Sequence, residues 1–248
     1  MPNIMDKVVN FQISLFGSFI NIQPNQEITM RLVSMLTEEN MFPGTATVSS
    51  VDPVQKKVEI ETRLQMVSQD KTWKIVFFQE RIDFVYNYLG GSEYYTDLNE
   101  IFEKGVNLIN KTFSCFSDTT GNRLAVNGTV ILPAMTNEET DMFINRFTAQ
   151  ASPFKDKHFD EWNIRYNIRK QLPVSEDKNE ECNNIINMGN IVGLNTQTGE
   201  HLRRMSIGID INTVPEHVEN RFRYENLLYF VGNAKKEMQD IIAAIEGE

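Results

Sequence analysis

The chain is poor in the residues that carry most recognisable chemistry, with two cysteines and three histidines among 248 residues. Cys115 and Cys182 lie far apart with no C-x-x-C spacing, which excludes a disulfide framework and reads as two thiols of a reducing compartment. His158, His201 and His217 sit in "KDKHFDE", "GEHLRR" and "PEHVEN", and no two have the i, i+4 spacing of a helical zinc motif. There is no G-x-S-x-G elbow, P-loop, G-x-G-x-x-G or H-x-E with P-C-x-x-C. A run of about 18 apolar residues is also missing, and "MPNIMDKVVNFQISLF" has no basic region ahead of an apolar one. These absences lead us to expect a cytoplasmic chain with no catalytic residues, no metal and no cofactor, and no membrane association. An enzyme without a familiar motif stays open.

Positive charge is also short: 34 acidic against 24 basic side chains leave a net charge of −10. That balance opposes non-specific attraction to nucleic acid or to an anionic membrane. The acidic residues are spread along the chain, as on an ordinary solvated surface.

What is present is strand and helix patterning in a repeated order. "VVNFQISLFGSFINI" places Val9, Phe11, Ile13 and Leu15 on one face, with a bulge expected near Gly17. Asn25 caps a helix carrying Ile28, Leu32, Met35 and Leu36, which "FPG" is expected to end. "TATVSSV" and "KVEIETRLQMV" read as strands, the latter with Val58, Ile60, Leu64 and Met66 facing one way. After Gly90 and Gly91, a helix with Ser92 as cap carries Leu98, Phe102, Val106, Ile109 and Phe113. "SDTTGNR" divides the chain into 1–117 and 118–248, closely packed halves. The second half opens with a strand holding Leu124, Val126, Val130 and Leu132, then a helix behind a Thr136 and Glu139 capping box. Strands follow in "FDEWNIRYNIRKQL", "NNIINMGNIVGLN" and "HLRRMSIGIDINTV", the last two joined by "NTQTGE". A final helix runs from about Tyr224 to Ile245. The expected fold class is α+β: two topologically similar halves, each strand, helix, antiparallel meander and long helix, with curved sheets gripping amphipathic helices.

"KTWKIVFFQERIDFVYNYLGG" poses a local problem. Trp73, Ile75 and Phe77 alternate in one phase, and Ile82, Phe84, Tyr86 and Tyr88 in the other. The run between them contains no Gly, Pro or Asn-Gly. The expectation is one long strand, bent by a bulge near Gln79 to Arg81, whose two parts pack in different environments.

The most unusual polar pattern is "WNIRYNIR". With Trp162, Ile164, Tyr166 and Ile168 inward, Asn163, Arg165, Asn167 and Arg169 line the other face of one strand. Arg203 and Arg204 on a later strand add to the strip if the two strands are neighbours. Guanidinium and amide groups suit a carboxylate, a phosphate or an acidic partner surface, unless cross-strand carboxylates such as Asp210 neutralise them. Elsewhere, Gly90-Gly91-Ser92 reads as a sharp turn rather than an anion site. Glu59 and Glu61 read as solvated, and most aromatic rings as core, with Tyr94 and Tyr95 as the exposed exceptions.

The order of elements resembles the duplicated saddle of TATA-binding-protein-like folds and, more loosely, helix-grip domains. The whole chain also resembles a sporadically distributed bacterial family that ends in a strand of the "IGIDINTV" type followed by a long terminal helix. Neither resemblance carries a functional residue over. The function expected is a non-catalytic protein-interaction module: an adaptor, an immunity or inhibitor protein, or a subunit of an assembly. The alternatives are small-molecule binding in a helix-grip cavity, or an acidic competitor of DNA-binding surfaces. A protein partner is expected and nucleic acid is disfavoured; the oligomeric state is not written in the sequence.

Overall fold

In the computed structural model, residues 7–52, 57–89, 97–148, 161–194, 199 and 201–246 are described. The first half contains β1 (Lys7–Gly17), α1 (Gln26–Leu36), a 3-10 turn (Thr37–Glu39), β2 (Met41–Asp52), β3 (Lys57–Ser68), β4 (Trp73–Phe77), β5 (Arg81–Asn87) and α2 (Leu98–Phe113). The second contains β6 (Gly121–Ile131), α3 (Asn137–Thr148), β7 (Asn163–Pro173), β8 (Asn179–Leu194), β9 (His201–Thr213) and α4 (Tyr224–Glu246). The fold is mixed α+β. Among the described residues the strands form one open, antiparallel nine-stranded sheet in the order β2-β3-β4-β5-β1-β6-β9-β8-β7. β1 and β6 pair at its centre, so the sheet runs unbroken across "SDTTGNR".

Local chemistry sets the helix starts. The Asn25 side chain accepts from the Ile28 amide at 2.9 Å, and Asp97 accepts from the Asn99 amide at 2.8 Å. Thr136 and Glu139 form the reciprocal box, with contacts of 3.2 and 2.8 Å. α2 therefore begins at Leu98 behind Asp97, whereas Gly90, Gly91, Ser92, Tyr94 and Tyr95 lie outside the described residues. The chain leaves the turn after α1 at Asn40, which takes the left-handed conformation with φ 53°. "FPG" does not end the helix as expected: Phe42, Pro43 and Gly44 lie within β2, where edge position tolerates a proline.

Each of the four helices among the described residues contributes buried apolar residues to one core. Phe11, Ile13 and Leu15 of β1, Leu124, Val126 and Val130 of β6, and Ile207, Ile209 and Ile211 of β9 point into it. Phe11 meets Phe102 of α2 edge-on at 4.8 Å, and Phe113 of α2 stacks on Tyr224 of α4 at 5.9 Å. A side chain at Gly105 would meet Ile13 Cδ1 at 2.8 Å, so this glycine lets α2 settle close on the sheet. β1 carries register shifts at Val8/Asn10 and at Phe16/Gly17; the second is the bulge expected near Gly17.

The bent-strand expectation is overturned. β4 and β5 are separate antiparallel strands, with Phe77 opposite Ile82 and Trp73 opposite Tyr86. A pairing of odd with even positions puts the two phases on the same face. Trp73, Ile75, Phe77, Ile82, Phe84 and Tyr86 all face one core. The tight turn needs no glycine because none of its residues has positive φ. Its backbone is held from outside, by Gly17 N–H on Glu80 O at 2.9 Å and Phe19 N–H on Gln79 O at 2.7 Å.

Two strand faces expected to be buried are not. Ile60 is 72 % exposed, although Leu64 and Met66 in the same strand are buried. Trp162, just before β7, is buried and Ile164 half-buried, but Tyr166 and Ile168 of the strand are 41 and 53 % exposed. The cause is position: β7 ends the sheet, and α4 reaches only its far end. There Lys170 pairs with Glu237 and Asn233 donates to the Pro173 carbonyl at 3.2 Å.

Candidate functional site

The sheet face opposite the helices is polar. Its side chains fall into rows that cross the strands, and one row runs Arg169, Asn183, Asn212, Ala125, Ser14, Asp83 through consecutive pairings. The row is hydrogen-bonded in two groups. Gln12 Nε2 donates to Ser14 Oγ at 2.8 Å, and Ser14 Oγ to Asp83 Oδ1 at 2.7 Å. Arg81 Nε donates to Asp83 Oδ2 at 2.8 Å. On the other side of β1, Asn212 Oδ1 accepts from Arg123 at 3.0 Å and from Asn183 at 3.3 Å, while Asn212 donates to Asp210 at 3.0 Å.

Burial dominates the chemistry of Asp83. The side chain is 2 % exposed, and desolvation pushes its carboxyl upward against the opposing pull of Ser14 and Arg81. Its bonded partners are the Ser14 hydroxyl and the Arg81 guanidinium, both donors to the carboxylate. The amides offer directional hydrogen bonding without net charge. Beside them a shallow notch of about 250 Å³ opens over Gly208, between Asn127, Thr129, Asn187 and Asp210.

The edge of the sheet is the second part of the surface. β7 pairs with β8 on one side from Asn163 to Pro173, and among the described residues no strand covers its other side. Asn163, Arg165, Asn167 and Arg169 share the polar face and are all exposed. Arg169 is held by Glu216 at 3.0 Å and Glu181 at 3.5 Å. Asp210, by contrast, receives Asn212. The neutralisation expected of Asp210 therefore comes from other carboxylates and falls on one arginine. On the opposite side of the same strand lie the exposed Tyr166 and Ile168. A long edge strand with unpaired backbone groups, exposed apolar side chains on one side and guanidinium groups on the other is a template for strand addition.

Arg203 and Arg204 do not join this strip. They pair with Val192 and Ile191 of β8, beyond Gly189, where β7 begins. They also alternate in direction, and Arg204 reaches the Leu132 carbonyl at 3.4 Å.

The remaining reactive groups are quiet. Burial raises the Cys115 thiol, and raises Cys182 to about 12, so neither is a thiolate at neutral pH. Glu61 accepts from Arg63 and Gln79, both at 3.0 Å. His217 is exposed and His158 lies outside the described residues. Among the described residues no cluster of three or more His, Cys, Asp or Glu could hold a metal ion, and no helix is long and apolar enough to cross a membrane.

Sequence reasoning missed Ser14, Asp83 and Arg63. The one available signal was a charged residue inside an apolar alternation, Asp83 in "RIDFVYN" and Arg63 in "IETRLQM". No family model matches the chain, and no curated protein matches it.

Proposed function

We propose that the protein is a non-catalytic protein-interaction module, of the kind that serves as an adaptor, an immunity or inhibitor protein, or an assembly subunit, and that it docks its partner through β7. The observation that carries this reading is the exposure of Tyr166 and Ile168, 41 and 53 %, on a strand that ends the sheet. Exposed apolar residues on an open edge favour an extended polypeptide, whose backbone completes the ladder while its side chains meet both faces. The quiet thiols and the hydrogen-bonded carboxylates also favour binding over catalysis, and two unpaired cysteines fit a reducing, cytoplasmic setting.

The same proposal includes a topological duplication. Outward from the centre, the first half reads β1-β5-β4-β3-β2 and the second β6-β9-β8-β7. Both orders place the first strand of the half beside its last, as in the TATA-binding-protein-like and helix-grip arrangements. On this reading the two sheet edges are equivalent ends of a pseudo-symmetric saddle, with the second half one strand shorter.

A small-molecule reading draws on an open cleft of about 470 Å³ where Ser18, Asn21, Arg31, Asp118 and Thr120 converge. Co-purification separates the two readings. Tagged protein expressed in its native cells should retain a stoichiometric polypeptide that the paired substitution Tyr166→Lys and Ile168→Lys releases. Retention of a small molecule with no polypeptide would overturn the proposal.

A further inference from the structure

Resting on β7 as the docking strand, we infer that its occupant is a second copy of this chain, paired antiparallel about Tyr166. Two identical strands joined by a two-fold axis set the axial residue against itself and mirror its neighbours. An axis perpendicular to the sheet also keeps the helix-covered faces on one side, so both cores continue across the junction.

The sequence of β7 matches its own mirror image in this register. Ile164 of one copy lies opposite Ile168 of the other, and Tyr166 opposite Tyr166, which joins the exposed apolar side chains into one row. On the polar face Arg165 lies opposite Asn167, and Asn163 opposite Arg169, so every guanidinium meets an amide carbonyl and none meets another guanidinium. Other axes lack this fit. Centring on Asn167 sets Arg165 against Arg169 twice, and centring on Arg165 sets it against itself. Centring on Ile168 also sets Arg165 and Arg169 against amides but breaks the apolar row, placing Tyr166 against Lys170, the partner of Glu237. Arg169 brings its own counter-charges in Glu181 and Glu216, so the facing strips carry little excess charge.

The charge of −10 on each copy gives the assembly a distinguishing property. Two acidic bodies repel at a distance, and salt screens that repulsion while leaving ladder hydrogen bonds and apolar contact intact. Self-association should therefore tighten as salt rises. An acidic partner seated on Arg165 would weaken instead.

Sedimentation equilibrium across protein and salt concentrations tests the inference. The unaltered full chain should dimerise reversibly, and more tightly in added salt. Asn167→Arg creates two facing Arg–Arg pairs and should weaken the dimer about tenfold. Adding Arg165→Asn to it exchanges the two roles and should restore dimerisation. These residues are exposed, and matched thermal midpoints will show that folding is unaffected. Under mild oxidation Tyr166→Cys should cross-link two copies, because direct cross-strand partners approach within disulfide reach, while Arg165→Cys should not. A chain that stays monomeric throughout, or a dimer indifferent to Asn167→Arg that gives no Tyr166→Cys cross-link, overturns the inference. A monomer that still holds another polypeptide through β7 would refute self-pairing alone; one that holds none would refute the proposed function as well.

Discussion

Arg63 Nε donates to the carbonyl oxygen of Phe77 at 2.8 Å. The same guanidinium, 1 % exposed, also reaches the carbonyls of Phe19 at 3.0 Å and Ile22 at 3.3 Å. One side chain of β3 thus ties the end of β4 to the segment between β1 and α1. Replacing it with an apolar residue would leave three acceptors without that donor. Arg63→Met is expected to destabilise the fold by about 3 kcal/mol, lowering the thermal midpoint by roughly 10 °C. A calorimetric scan measures this, and Arg63→Lys, with a single amine, should recover only part of the loss.

Glu39 gives the fold an acid-sensitive contact. Burial alone would raise its carboxyl, but hydrogen bonds from Lys104, Lys111 and Asn107 outweigh that and hold it down at about 2. A depressed folded-state pKa adds stability that is complete above the ordinary value of 4.5 and is lost as pH falls toward 2. Glu39→Gln should therefore cost about 2 kcal/mol near neutrality and little at the acidic end of that window. Urea titrations at several pH values would reveal the convergence; a pH-independent difference would remove the electrostatic explanation.

Asp83 behaves in the opposite sense. Its carboxyl is raised by burial, so the folded state binds its proton more tightly than the unfolded chain does, and stability falls as pH rises through the folded pKa. Asp83→Asn, which can still accept from Ser14, should gain stability relative to the parent as pH increases from 4 to 7. Denaturation midpoints compared across that range check the sign.

Cys115 and Cys182 are both buried and unpaired. Their raised pKa values predict negligible reaction with a thiol reagent at pH 7 in the native state, and two equivalents in denaturant. Rapid native labelling at either position would contradict the packing around it.

Much of the scaffold was legible because its signals are local. Asn25 and the Thr136–Glu139 pair announce helix starts through side chain to backbone bonds that need no distant partner. The β4–β5 hairpin was not legible, because its turn is secured by the amides of Gly17, at the end of β1, and Phe19, just beyond it, instead of by its own glycine. Nor was the surface of β7. "WNIRYNIR" alternates as a buried strand does, and only the strand order places it at an edge that α4 fails to cover. The Arg and Asn side of that strand is readable from the alternation in the sequence; the exposure of its apolar side depends on the assembled sheet.

Amide hydrogen exchange along residues 163–169 tests the interaction reading most directly, comparing the isolated monomer with the chain bound to its polypeptide partner, whether its own copy or another protein. Slowed exchange is expected at alternate amides of β7, those facing away from β8, with the rest of the sheet unchanged. Protection confined to the helices or to the polar sheet face, with β7 exchanging as in the monomer, would contradict it.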